Sequence, residues 1–225
     1  MAGIRRALAA VAAAAAMALT VGCSVAQPIE QGSPAERPSA GEHDDREVAA
    51  AREDLADLRV ATPVGDAGYD RDRFGPRWTD ADRNGCDTRN DVLARDLDDV
   101  TKRGRCVVIG GRLDDPYTGR DMTFTKTEAA EVQIDHIYPL ALAWRMGAAG
   151  WPEDKRTDFA NDRDNLLAVW GRANQRKGDS GPAEWRPRRV YQCTYAIKFV
   201  DVSAEYDLAV TGADHAALAG MLDRC

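Results

Sequence analysis

Long apolar runs are missing from this chain, and histidine is scarce. The only extended apolar stretch, Ala7 to Val21, is mostly alanine and falls short of the ~20 residues that cross a bilayer. Five cysteines occur, but none in a C-x-x-C spacing, which argues against a structural zinc site. The net charge is −7, so no general basic coat for nucleic acid covers the protein. No internal repeat is visible. With three histidines in 225 residues, imidazole chemistry has few places to reside.

The amino terminus has the order of an export signal. Arg5 and Arg6 precede the apolar run, which ends in "LTVGCS" with small residues ahead of Cys23. This end is similar to the lipobox of bacterial lipoproteins, which implies lipidation at Cys23. Thr20 stands where that pattern prefers an aliphatic residue. Residues 1–23 are therefore expected to be a signal, and residues 24–45, rich in Pro, Gly, Ser and Gln, a disordered tether. Residues 46–64 read as a helical linker and 65–225 as the main domain, large enough for a sizeable core. Cys86, Cys106, Cys193 and Cys225 lie beyond the signal. An even number in an exported chain reads as two disulfides with three conceivable pairings. Cys86–Cys106 with Cys193–Cys225 is favoured, because each bond then ties one local unit.

The periodicities predict a mixed α+β fold. Helices are expected over 46–59, with Val48, Leu55 and Leu58 on one side, and over 88–100. "CVVIGG" (106–111) and "MTFT" (122–125) read as strands around the turn-rich "DDPYTG". A third strand runs from Val132 to Ile137, ended by Pro139, and a short helix follows. Residues 151–160 suggest a helix, "LLAVW" (166–170) a buried strand, and 171–178 a short helix closed by Gly178. Helices over 188–206 and 212–223 complete the domain, the last capped by Thr211.

One stretch raises a chemical question. "QIDHIYP" sets Asp135 and His136 side by side in an apolar run, where alternation turns one of them inward. Asn165 stands just before the next strand, and Asn174 and Lys177 lie on the helix after it. Positive charge gathers in the same region: Arg172, Arg176, Lys177, Arg186, Arg188 and Arg189 stand against only Asp179 and Glu184.

The segments "CDTRNDVLARDL", "QIDHIYPL", "ANDRDNLLAV" and "ANQRKGD" resemble the HNH endonucleases of the His-Me finger group. Within them the chain resembles exported bacterial proteins related to the C-terminal domain of GmrSD-type restriction enzymes, over roughly residues 65–225. The resemblance implies a disulfide-stapled α+β domain with a ββα-metal core. It implies an endonuclease that hydrolyses phosphodiester bonds of DNA, with RNA as a further candidate, at low sequence specificity. Asn174 stands where the third letter of the motif is usually His, as in HNN variants.

On this reading His136 is the general base. Asp135 and Asn174 offer hard oxygens to one divalent metal, Mg²⁺ first and Mn²⁺ as the alternative. Asn165 orients the imidazole. Lys177, Arg176 and Arg172 meet phosphates, and Arg89 is a further phosphate candidate beside its default role at a helix start.

Two competing expectations stand beside it. A non-catalytic envelope lipoprotein would bind nucleic acid or another polyanion through the basic patch alone. A calcium-dependent module would use Asp80, Asp82, Asn84 and Asp91, whose spacing in "DADRNGCDTRND" echoes a calcium loop. Asp91 is shorter than the Glu such loops carry. His43, in the tether, and His215, on the last helix, have no comparable neighbours.

Overall fold

The structure, a computed structural model, describes residues 43–225; the expected signal with Cys23 and the expected tether up to residue 42 lie outside the described residues. The fold is α+β, with two disulfides, Cys86–Cys106 and Cys193–Cys225.

Helix α1 (Asp45–Asp57) starts at Asp44, whose side chain accepts from the Arg46 amide. Its buried residues Val48, Ala51 and Leu55 share one face and pack on α6 (Gln192–Tyr206) and α7 (Gly212–Leu222). The segment read as a linker is thus part of the main core. Val60 continues it by forming a parallel bridge with Val210. His43, read as tether, already touches the domain, with its ring nitrogens on Glu47 and Thr194.

Helix α2 is shorter than expected. It runs from Thr88 to Asp96, and Leu97 leaves the helix in extended conformation. Residues 98–100, read as its last turn, instead open strand β1 (Asp98–Arg103). β1 pairs antiparallel with β2 (Val107–Asp114), and β2 with β3 (Asp121–Thr125). Helical spacing continues through Val100, but pairing with β2 satisfies that backbone and buries Leu97 under the sheet. Tertiary pairing overrides the local pattern here.

The second sheet has two strands, β4 (Val132–His136) and β5 (Leu166–Trp170), antiparallel from Val132↔Trp170 to His136↔Leu166. Between them run α3 (Leu140–Met146) and α4 (Glu153–Asn161), and α5 (Gly171–Lys177) follows β5 directly. The β5–α5 corner requires glycine. A Cβ on Gly171 would collide with the Ala130 carbonyl oxygen and the Gln133 side chain.

This strand pair divides the interior. Val132, Ile134, Leu166 and Ala168 pack with α2 and the three-stranded sheet, whereas Leu167 and Val169 join the larger cluster formed with α1, α3, α6 and α7. Burial on both faces explains why "LLAVW" shows no polar alternation.

Candidate functional site

Asp135 pairs in register with Leu167, which turns it toward the larger cluster, and it is 4% exposed. A carboxylate cannot stay there unpartnered. Lys177 supplies the counter-charge: its Nζ lies 2.8 Å from Oδ2 and 3.1 Å from Oδ1, and it also donates to the His136 carbonyl oxygen at 2.7 Å. Tyr117, from the "DDPYTG" turn, donates its hydroxyl to Oδ2 at 2.5 Å. Burial pushes Asp135 up and Lys177 down, while their pairing pulls each the other way. Lys177 therefore departs from expectation. Its side chain is fully buried and its protons are spent on Asp135 and the backbone, so it does not present itself to a phosphate.

Tyr117 had no signal in the sequence beyond a turn. Its position depends on Asp115, fully buried, whose carboxylate accepts from the amide and hydroxyl of Thr118 and from the Trp170 amide. That one acid closes the turn and ties it to the end of β5. The Tyr117 ring then packs edge-on against Trp185, Tyr191 and Tyr195.

His136 ends β4. Its Nε2 lies 2.9 Å from the carbonyl oxygen of Ala160 in α4, an acceptor only, so Nε2 carries the proton and Nδ1 keeps its lone pair. Burial pushes the imidazole down from 6.5 to about 3, and the cations Arg71, Lys177 and Arg77 add to this, against the Ala160 hydrogen bond. The ring is neutral at physiological pH.

Asn165 is fully buried and clasps the chain just beyond His136. Its Oδ1 accepts from the Tyr138 amide at 2.8 Å, its Nδ2 donates to the Tyr138 carbonyl at 3.3 Å, and its own carbonyl accepts from Ile137. It touches no open space. Asn174, half-buried on α5, donates Nδ2 to Gln133 Oε1 at 3.0 Å, which turns its Oδ1 away from that partner as a spare acceptor.

Asp135, His136 and Asn174 meet on a cavity of about 360 Å³, whose wall also includes Tyr69, Arg71, Gln133, Gln175 and Asp179. Strand β4, its partner β5 and the helix α5 thus bring Asp135, His136, Asn165, Asn174 and Lys177 into one neighbourhood, with Asn165 and Lys177 behind the wall. Arg71 belongs to the wall and was not anticipated; "YDRDRFGPRW" carries no spacing that marks it.

The remaining expected contacts divide. Arg89, half-buried, donates Nη2 to the carbonyls of Ala129 and Val132, the local structural role that is the default for it. Arg172 and Arg176 are exposed, and their guanidinium carbons lie 6.0 and 5.3 Å from the ring centroid of Trp170, which Arg120 covers at 4.4 Å. Arg188 instead reaches toward Asp114, and Arg186 donates to the Pro182 carbonyl. In the 80–91 loop, Asn84 bonds Asp82 and Asp91, Asp80 accepts from the Gly85 amide, and Arg163 pairs with Asp82 at 2.9 Å. These polar groups are occupied with one another and with the loop backbone.

Residues 87–221 match the family described as GmrSD restriction endonucleases, C-terminal domain, and the chain belongs to that family. A protein of Arthroderma benhamiae named "Uncharacterized secreted protein" is 42% identical over 174 residues, which cover 76% of this chain and 82% of that protein. No solved structure matches the chain.

Proposed function

We propose that this protein is an exported, metal-dependent endonuclease of the HNH type that hydrolyses phosphodiester bonds of DNA, with RNA as a second candidate substrate, at little sequence preference. The observation that carries the reading is His136. Its tautomer leaves Nδ1 unprotonated, and His136 lines a cavity that Asp135 and Asn174 also line. Family membership supports the nuclease class. The β4–β5–α5 arrangement supports a His-Me finger core. Two disulfides and the secreted relative support export, since such bonds persist in oxidising compartments.

The donor set fits a lightly held divalent ion. Among the described residues, no group of three or more His, Cys, Asp or Glu forms a metal cage. The Asn174 amide oxygen is the spare hard donor at the open cavity, while both Asp135 oxygens already accept from Lys177 and Tyr117, so Mg²⁺ or Mn²⁺ there would keep most of its water and reach Asp135 only by displacing one of those donors. Asp135 and Asn174 would hold it, and when bound it would supply Lewis-acid stabilisation at phosphate oxygens.

The chain's own groups do the rest. His136 Nδ1 takes a proton from water as that water attacks phosphorus and the bond to the departing oxygen breaks. The Ala160 carbonyl, on the far ring nitrogen, then stabilises the imidazolium. In the resting protein burial first, and the nearby cations Arg71, Lys177 and Arg77 after it, hold the proton affinity of His136 low. A phosphodiester anion entering the cavity offsets those cations and strengthens the base when it is needed. A base so placed contributes ~10²–10⁴ in rate. Lys177 and Tyr117 fix the Asp135 carboxylate, and Asn165 fixes the turn that carries His136. Arg172 and Arg176 on Trp170 would hold a flanking strand without reading its sequence.

The test is digestion of plasmid DNA and of RNA by the disulfide-intact protein, with Mg²⁺ or Mn²⁺, with chelator, and with His136→Ala. Cleavage by the parent alone, lost with chelator and in the variant, is expected. Equal cleavage by His136→Ala would remove His136 as the base.

A further inference from the structure

Charges on the cavity wall are answered inside the protein, with one exception. Asp135 is met by Lys177. Asp179 is met by Arg145 at 2.7 Å, which also reaches Asp66 at 3.1 Å. Arg71 is different. Its Nη1 is buried without a hydrogen-bond partner among the described residues, and a guanidinium does not shed its proton. Burial pushes its pKa below the ordinary arginine value, and repulsion from Arg77 adds to that. Tyr69 and Asp72 act in the opposite sense without reversing it. A buried cationic donor left unpaired is costly and calls for an explanation.

Its position is not slack. Arg71 opens a 3₁₀ turn (Arg71–Phe74) whose first turn Asp70 caps by accepting from the Asp72 amide at 2.9 Å. Phe74 ends that turn fully buried, its ring 6.3 Å from Trp144 and 6.2 Å from Phe159. Gly75 then takes φ +74 against Thr157, whose side chain occupies the space a Cβ would need. An anchored turn thus holds, on the wall that His136 shares, a half-buried guanidinium whose Nη1 has no partner among the described residues.

We propose that Arg71, with exposed Arg77 beside it, is the anion-binding site of this cavity and takes the phosphodiester oxygens of the nucleic-acid strand. This rests on the nuclease reading and adds what Lys177 was expected to provide. Arginine suits the task, because its planar fork can meet two phosphate oxygens at once. Arg77, in water, lends charge without a fixed contact.

The experiment compares the parent, Arg71→Met, Arg71→Lys, Arg77→Gln and His136→Ala, all with disulfides intact. Three quantities are read: kcat/KM on a fluorescent oligonucleotide with Mg²⁺ or Mn²⁺, anisotropy-measured binding of the same oligonucleotide in chelator, and the melting temperature. Arg71→Met is expected to melt at or above the parent temperature, because it removes a buried guanidinium nitrogen that has no partner among the described residues. Its kcat/KM is expected to fall about 10²-fold or more, with weaker binding in chelator, and Arg71→Lys to recover part of both. Arg77→Gln should lose less, and its binding should lose about one unit of salt dependence.

If Arg71→Met cuts and binds like the parent, the site is overturned while the nuclease reading stands. If the parent cuts nothing, that reading falls and this site with it. Should Arg71→Met not fold, Arg71→Lys decides: a parental kcat/KM overturns the proposal, and a loss of tenfold or more with a parental melt supports it.

Discussion

Lys177 Nζ lies 2.8 Å from Oδ2 of Asp135 and 2.7 Å from the carbonyl oxygen of His136, so one buried ammonium holds both members of the Asp-His pair. Removing it strands a carboxylate in the core. Lys177→Met is expected to cost about 3–5 kcal/mol in denaturant unfolding. Adding Asp135→Leu should recover much of that loss while leaving the protein inactive, because a neutral pair needs no partner. Equal stability of the parent and Lys177→Met would show that the ion pair does not form.

Tyr117→Phe removes a single donor to the same carboxylate and keeps the ring among Trp185, Tyr191 and Tyr195. A hydrogen bond to a charged group is worth about 1.5–3 kcal/mol. The loss should appear in unfolding and, through a looser Asp135, as a lower kcat. A variant with parental kcat would leave Tyr117 with a packing role alone.

Acid should destabilise the fold through His136. Unfolded, its imidazole titrates near 6.5; folded, it does so at about 3. Between those values the unfolded chain binds more protons, so stability rises with pH across the window and is lost as pH falls through it. The melting temperature is expected to drop below about pH 6.5 more steeply in the parent than in His136→Gln. The base must be unprotonated, so the acid limb of kcat/KM should lie below 6.5 as well. Parallel melting profiles for parent and variant would contradict a buried neutral imidazole.

Asn165→Ala opens the clasp on Tyr138 and leaves buried backbone groups unpaired. The expected cost is about 1–3 kcal/mol, accompanied by a fall in kcat with KM little changed, since Asn165 lies behind the wall. A selective rise in KM would place Asn165 on the substrate instead.

Reduction offers an independent check on the frame. The disulfides close separations of 20 and 32 residues, for which the chain-entropy model gives about 3.3 and about 3.7 kcal/mol. Cys86→Ser/Cys106→Ser and Cys193→Ser/Cys225→Ser should each lower the unfolding midpoint. The two losses should be of similar size.

Much of the α+β pattern could be read from periodicity. The strand 132–136 and the strand 166–170 stand out because apolar runs are bounded by Pro139, Asn165 and Gly171, and α7 begins at Thr211 as its capping chemistry suggests. β1 was hidden, because Val92, Leu93, Leu97 and Val100 keep helical spacing past the point where β2 claims the backbone. The candidate residues Asp135, His136, Asn165 and Asn174 were visible as an ordered set. Arg71 and Tyr117 were not: each sits in a turn-rich segment, distant in sequence, whose meaning depends on what it packs against.

Local chemistry therefore determined which residue types this protein offers: an acid and an imidazole in one strand, two amides, and a cluster of cations. Which cation serves which anion was decided by the tertiary structure. Desolvation makes an unpaired charge in the core too costly, so Lys177 was drawn inward to Asp135 and Arg89 to backbone carbonyls. Arg71, held by the Phe74 anchor, keeps a guanidinium nitrogen without a partner among the described residues on the cavity wall. Charge and spacing along a chain do not record burial, and burial set those assignments.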